Sequence, residues 1–124
     1  MGELEHLVLE FLWTAEEADV AEAHRAVGRA RGITPNTVGS ALERLHRKGL
    51  VRRHKVSHAY RYAPSLARDD FAARRLVDAA GGLQSLSSVG LLSAFVDILA
   101  DGDRETLTHL EQLIAAKRSG ETDP

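Results

Sequence analysis

The stretch from Thr34 to Arg53, TPNTVGSALERLHRKGLVRR, leaves this chain few ways to fold. Thr34 can cap a helix, because its hydroxyl accepts from a free backbone N–H of the first turn. Pro35 follows where a missing N–H costs nothing. Val38, Ala41, Leu42 and Leu45 recur at three and four residues and predict one buried stripe. Gly49 supplies a left-handed stop. Beyond it, Leu50 to Val56 and Ala59 to Tyr62 predict a short hairpin around Ser57-His58, with Tyr60 and Tyr62 on one face.

Two helices are expected before this block and three after it. Leu4, Leu7, Val8, Phe11 and Leu12 predict a first helix over about residues 3–13, closed by Trp13 as a core plug. Asp19-Val20-Ala21-Glu22 has the capping-box pattern. It opens a second helix to about Ala30, with Val20, Ala23, His24 and Val27 inward and Gly32 ending it. Pro64-Ser65 opens a fourth helix over about 66–80, with Asp69 and Asp70 near its positive end and Phe71, Leu76 and Val77 apolar. Gly81-Gly82 and the serines to Ser88 read as a joint. Two further helices, about 88–100 and 103–117, carry the stripes Val89, Leu92, Phe95, Val96, Leu99 and Leu107, Leu110, Leu113, Ile114. The expected division is 1–66, 67–82 as a connecting helix and joint, 83–118, and a polar, disordered tail over 119–124.

Charge narrows the function. Between His24 and Tyr62 stand Arg25, Arg29, Arg31, Arg44, Arg47, Lys48, Arg52, Arg53, Lys55 and Arg61 against the single acid Glu43, in a chain of net charge −2. A basic block around a capped amphipathic helix fits a surface that meets a phosphate backbone better than a solvated mixed face. Cysteine is absent, which excludes disulfides, thiolate metal sites and thiol catalysis. His6, His24, His46, His54, His58 and His109 are scattered, and only His54 and His58 share a local segment, the hairpin, so no metal or cofactor is expected. No nucleophile with a base, phosphate loop or metal triad is visible, so the chain does not read as an enzyme. The start lacks a basic region before an apolar core. The longest apolar stretch, Val89 to Ala100, is broken by Ser93 and Asp97 and too short to span a bilayer. A soluble, cytoplasmic protein is expected.

Helix, helix, helix, hairpin is the order of a winged helix, whose third helix enters the major groove. Thr37, Ser40, Arg44 and Arg47 share a face opposite Val38, Leu42 and Leu45. Small hydroxyls allow close approach to base edges, and arginines grip phosphate or guanine. The expected DNA contacts are Asn36, Thr37, Ser40, Arg44, Arg47 and Lys48 from this helix, and Arg52, Arg53, Lys55 and His58 from the hairpin. Gly39 costs the helix roughly 1 kcal/mol relative to alanine. It makes room either for DNA or for a packed neighbour. Two other readings stand beside this one: a regulator with a small-molecule or metal effector bound between the two regions, and a winged helix that binds protein.

GELEHLVLEFLW, the TPNTVGSALERLHRKGLVRR block and AYRYAPSLARDDFAARRL followed by Gly81-Gly82 together resemble the penicillinase-repressor family (BlaI/MecI/CopY type), and its BlaI-like branch in particular. The resemblance is collinear over nearly the whole chain. It implies a mainly α repressor with a small β-hairpin, an N-terminal winged helix-turn-helix and a C-terminal helical dimerisation region. Its partners would be double-stranded DNA with a palindromic operator, a second copy, and an upstream membrane sensor protease or other effector. Dimerisation would fall to Val89, Leu92, Phe95, Val96, Leu99, Leu107, Leu110 and Ile114. The absence of cysteine excludes the copper-responsive branch. Ala94-Phe95 stands where the β-lactam-responsive branch is cleaved at Asn-Phe, which leaves release by proteolysis or by ligand open.

Overall fold

The computed structural model describes residues 1–122, and the chain divides into two compact units that meet at Arg74 and Arg75. In the first, helix α1 (Glu3–Ala15) buries Glu5, Val8, Leu9 and Leu12. The expected stripe is therefore rotated. Leu4, Leu7 and Phe11 are only partly buried against the core, and an acid takes the first place on the buried side.

The capping box forms as the sequence predicts. Asp19 accepts from the Glu22 N–H at 2.8 Å and Glu22 accepts from the Asp19 N–H at 3.1 Å. Helix α2 (Val20–Ala23) then widens into a π turn over His24–Gly28 and tightens into a 3₁₀ turn over Arg29–Arg31. Sequence predicts a plain helix here, and packing explains the difference. His24 Nε2 donates to the Ile33 carbonyl at 2.8 Å, and the Gly28 carbonyl accepts from the Ile33 N–H at 3.0 Å. Gly28 is thus pressed against the segment that leads into the next helix.

A methyl group on Gly28 would lie 2.9 Å from His24 Cδ2, 3.0 Å from Val38 Cγ2 and 3.2 Å from the Ile33 carbonyl. None of these can move freely, because the His24 ring is tied to Ile33 and Val38 is fully buried. Gly28→Ala should therefore destabilise the fold by about 1–3 kcal/mol in urea unfolding. Helix propensity alone forecasts the opposite sign, a gain of roughly 1 kcal/mol. A stabilised variant would show that this contact yields.

Helix α3 (Pro35–Arg47) begins with the Thr34 hydroxyl accepting from the Thr37 N–H at 3.2 Å. Val38, Ala41, Leu42 and Leu45 are all fully buried. Gly49, at φ 76°, turns the chain out. Strands β1 (Val51–Val56) and β2 (Ala59–Pro64) pair antiparallel, with Arg53 opposite Tyr62 and Lys55 opposite Tyr60. Ser57, at φ 60°, carries the tight turn. Ala18, just before α2, exchanges both backbone hydrogen bonds with Tyr62 at 2.8 and 2.9 Å. This ties the hairpin base to the front of the domain. Trp13 Nε1 donates to the Leu66 carbonyl at 2.9 Å and its ring lies 5.4 Å from Phe71, so the first turn of α4 (Arg68–Ala79) closes over α1.

In the second unit, Gly81 and Gly82 stand at φ 96° and 97°. These are conformations that glycine adopts without a Cβ penalty. A single helical turn, α5 (Leu83–Leu86), occupies part of the expected joint. Ser88 caps α6 (Val89–Gly102), and α7 runs from Arg104 to Thr122. The polar tail expected from Ser119 is thus helical through Thr122, because its one weak breaker, Gly120, does not stop a helix that already runs from Arg104. Asp123 and Pro124 lie outside the described residues. No helix among the described residues is long and apolar enough to cross a membrane.

Candidate nucleic-acid interface

The buried stripe of α3 decides which of its side chains point outward. With about 3.6 residues per turn, the face opposite Val38, Ala41, Leu42 and Leu45 is centred on Asn36, Ser40, Glu43 and Arg47. Asn36, Ser40 and Arg47 are exposed. Thr37, Arg44 and Lys48 form one edge of this face. Thr37 is exposed, and its hydroxyl lies 3.0 Å from that of Thr34, within the cap.

Arg44 and Lys48 do not project freely. Arg44 Nε donates to Glu5 Oε1 at 2.7 Å and Lys48 Nζ donates to Glu5 Oε2 at 2.6 Å. Glu5 is only 4% exposed. The Lys48 ammonium, then the Arg44 guanidinium, hold its carboxyl down at about 2, against the opposing effect of burial. The two cations keep nearly half of their side chains exposed. They present their remaining N–H groups from fixed positions at the α1–α3 seam.

The hairpin residues divide in the same way. Arg53 pairs with Glu43 and stacks over the Tyr60 ring at 4.3 Å. It fastens the hairpin to α3 rather than reaching outward. Arg52 is exposed, with Nη1 donating to the Pro64 carbonyl at 2.6 Å. Lys55 and His58 are exposed near the hairpin tip, and Lys55 Nζ lies 5.8 Å from the Tyr60 centroid. Arg61 is drawn back between Glu17 at 2.6 Å and Glu22 at 2.8 Å. Its hydrogen bond lowers the Glu17 carboxyl, and Glu17 and then Glu22 raise the Arg61 guanidinium in turn.

The charge segregation read from the sequence is therefore partly undone by the fold. Arg44, Lys48, Arg53 and Arg61 all meet acids, and three of those acids, Glu5, Glu17 and Glu22, come from outside residues 24–62. Chain distance is not spatial distance, so α1 and the α2 cap bring their carboxylates to the basic block. Sequence reasoning missed Glu5. Its signal was present, since Glu5 stands three, four and seven residues before Val8, Leu9 and Leu12 and so shares their side of the helix.

The expected dimerisation residues lie in the second unit. Val89, Leu92, Phe95, Val96 and Ile114 are exposed, and Leu99, Leu107 and Leu110 are half-buried. Helix α6 has no fully buried side chain. Among the described residues no three His, Asp or Glu side chains gather as a metal site requires.

A capped helix with a free polar face, two helical segments behind it and a hairpin fastened alongside define a winged helix-turn-helix domain. The solution structure of the DNA-binding domain of the repressor BlaI has the same fold, with a TM-score of 0.51 and 23% identity, over 56% of this chain and 85% of that one. In sequence the chain is 36% identical to the transcriptional regulator BlaI of Mycobacterium tuberculosis, in strains CDC 1551 and H37Rv alike. That match spans 117 residues, 90% of this chain and 85% of the relative. The profile of the penicillinase repressor family matches residues 1–116. The chain belongs to the penicillinase repressor family, whose members here are transcriptional regulators and not enzymes.

Proposed function

We propose that the chain is a repressor that binds a palindromic operator as a homodimer, acting in the cytoplasm. The observation that carries this reading is the exposed face of α3, which holds Asn36, Ser40 and Arg47 beside a wing whose Lys55 and His58 are also exposed. Asn36, Thr37 and Ser40 meet base edges near the helix start. Arg47, Arg52, Lys55 and His58 contact phosphates, and Arg44 and Lys48 do so from their anchorage on Glu5. Residues 1–66 read DNA, 67–82 connect, and 83–118 pair two copies through α6 and α7. An upstream sensor protease or other effector then lifts repression.

Salt dependence tests the phosphate contacts. Each lost phosphate contact removes about 0.9 from the slope of log affinity against log salt. Replacing both Arg47 and Lys55 by alanine should lower that slope by roughly 2 on any duplex. Arg53→Ala should change it far less, because its charge is already answered by Glu43. An unchanged slope in the double variant would remove α3 and the wing from the phosphate backbone.

A further inference from the structure

Glu43 is the one acid in the basic stretch from His24 to Tyr62, and the fold puts it on the exposed face of α3 between Ser40 and Arg47. An acid there repels phosphate, so unless it gains something on binding it only weakens the complex. One carboxylate oxygen, Oε2, is taken by Arg53, whose guanidinium is braced on Tyr60. The group is therefore held in place and its charge partly offset, while among the described residues Oε1 accepts no hydrogen bond.

Beside this carboxylate lies an open notch of about 550 Å³, lined by Val20, Pro35, Asn36, Gly39, Ser40 and Glu43. Val20, Pro35 and Gly39 give it apolar lining, and Asn36, Ser40 and Glu43 polar lining. Gly39 keeps it open, and not for the sake of a packed neighbour. A methyl group there would meet only the Val20 side chain, at 3.7 Å, an ordinary contact. The protein thus gives up roughly 1 kcal/mol of helix propensity at Gly39 with no internal steric reason.

Resting on the reading of α3 as the recognition helix, we infer that this notch takes the major-groove edge of one base pair and that Glu43 makes it specific for cytosine. Cytosine presents an N4 amino donor and lacks the adjacent ring acceptor with which an acid would clash. Its flat C5 edge suits the apolar lining from Val20 and Gly39. Asn36 and Ser40, which also line the notch, flank the base. Glu43 is then a specificity-determining residue and Arg53 its positioning partner.

The test is selection of the full-length protein on a pool of randomised duplexes, followed by binding to the selected duplex with each base pair changed in turn. Wild type should require cytosine at one position per half-site, by roughly 5- to 150-fold over other bases. Glu43→Ala should lose that preference at that position alone. Glu43→Gln, whose amide both donates and accepts, should shift it toward adenine. Gly39→Ala should unfold at a higher temperature yet bind the selected duplex more weakly. If Glu43→Ala and Glu43→Gln select the wild-type motif, with affinity scaled down evenly at every position, Glu43 is only an anchor for the wing and the inference is overturned. Should wild type itself select no motif, the recognition-helix reading fails first, which separates the two.

Discussion

A chain ending at Gly81 is expected to fold, to remain monomeric, and to bind a two-fold operator roughly 10²- to 10⁴-fold more weakly than the whole protein. Its affinity for an isolated half-site should be nearly intact. Folding is expected because every member of the buried core, from Val8 to Phe71, lies before the cut. The loss follows from what is removed. Helices α6 and α7 leave Val89 80% exposed and Ile98 69% exposed, with Leu92, Phe95, Val96, Leu113 and Ile114 also open. That much apolar surface on two helices calls for a second copy. Pairing makes the second half-site contact intramolecular, and its effective concentration is what the truncation forfeits. Sedimentation of the whole chain at micromolar concentration is the direct check. A monomer that still binds the full operator at full strength would refute the pairing.

Glu5→Gln should cost about 2–3 kcal/mol of stability at neutral pH. The carboxylate is nearly fully buried and accepts from two cations, so its neutral replacement keeps one acceptor oxygen, loses the ionic attraction to both cations and turns an amide NH2 toward one of them. Because the cations themselves are half-exposed, water moderates the loss and keeps it below that of a fully buried pair. The pH dependence has a definite sign. Folding depresses the Glu5 carboxyl from 4.5 to about 2, so its contribution is complete above pH 4.5 and disappears as pH falls toward 2. Urea midpoints of wild type and Glu5→Gln should be far apart at pH 7 and converge in that acidic window. A constant gap from pH 7 down to pH 2 would mean that packing, and not charge, carries the effect.

Much of the fold was legible because its signals are local. The Asp19–Glu22 box, the Thr34 cap with Pro35, the α3 stripe and the Gly49 stop each depend on residues within a turn of one another, and each appears as read. The order of three helical segments and a hairpin followed from those signals. The class of protein followed in turn from the order and the basic residues. What the sequence could not convey were matters of wide separation. The π turn at His24–Gly28 arises from the approach of Ile33 and Val38. The strand pairing of Ala18 with Tyr62 joins residues more than forty positions apart.

The candidate interface divides along the same line. That α3 is basic, capped and amphipathic is a property of its own residues, and the sequence alone determined it. Which of the interface cations stand free was decided by tertiary structure, since Glu5 on α1 claims Arg44 and Lys48, and Glu43 on α3 claims Arg53 of the hairpin. The physical reason is that helix periodicity and capping act over a few residues and are written in the chain, whereas Coulomb attraction acts between whichever charges folding brings within a few ångströms.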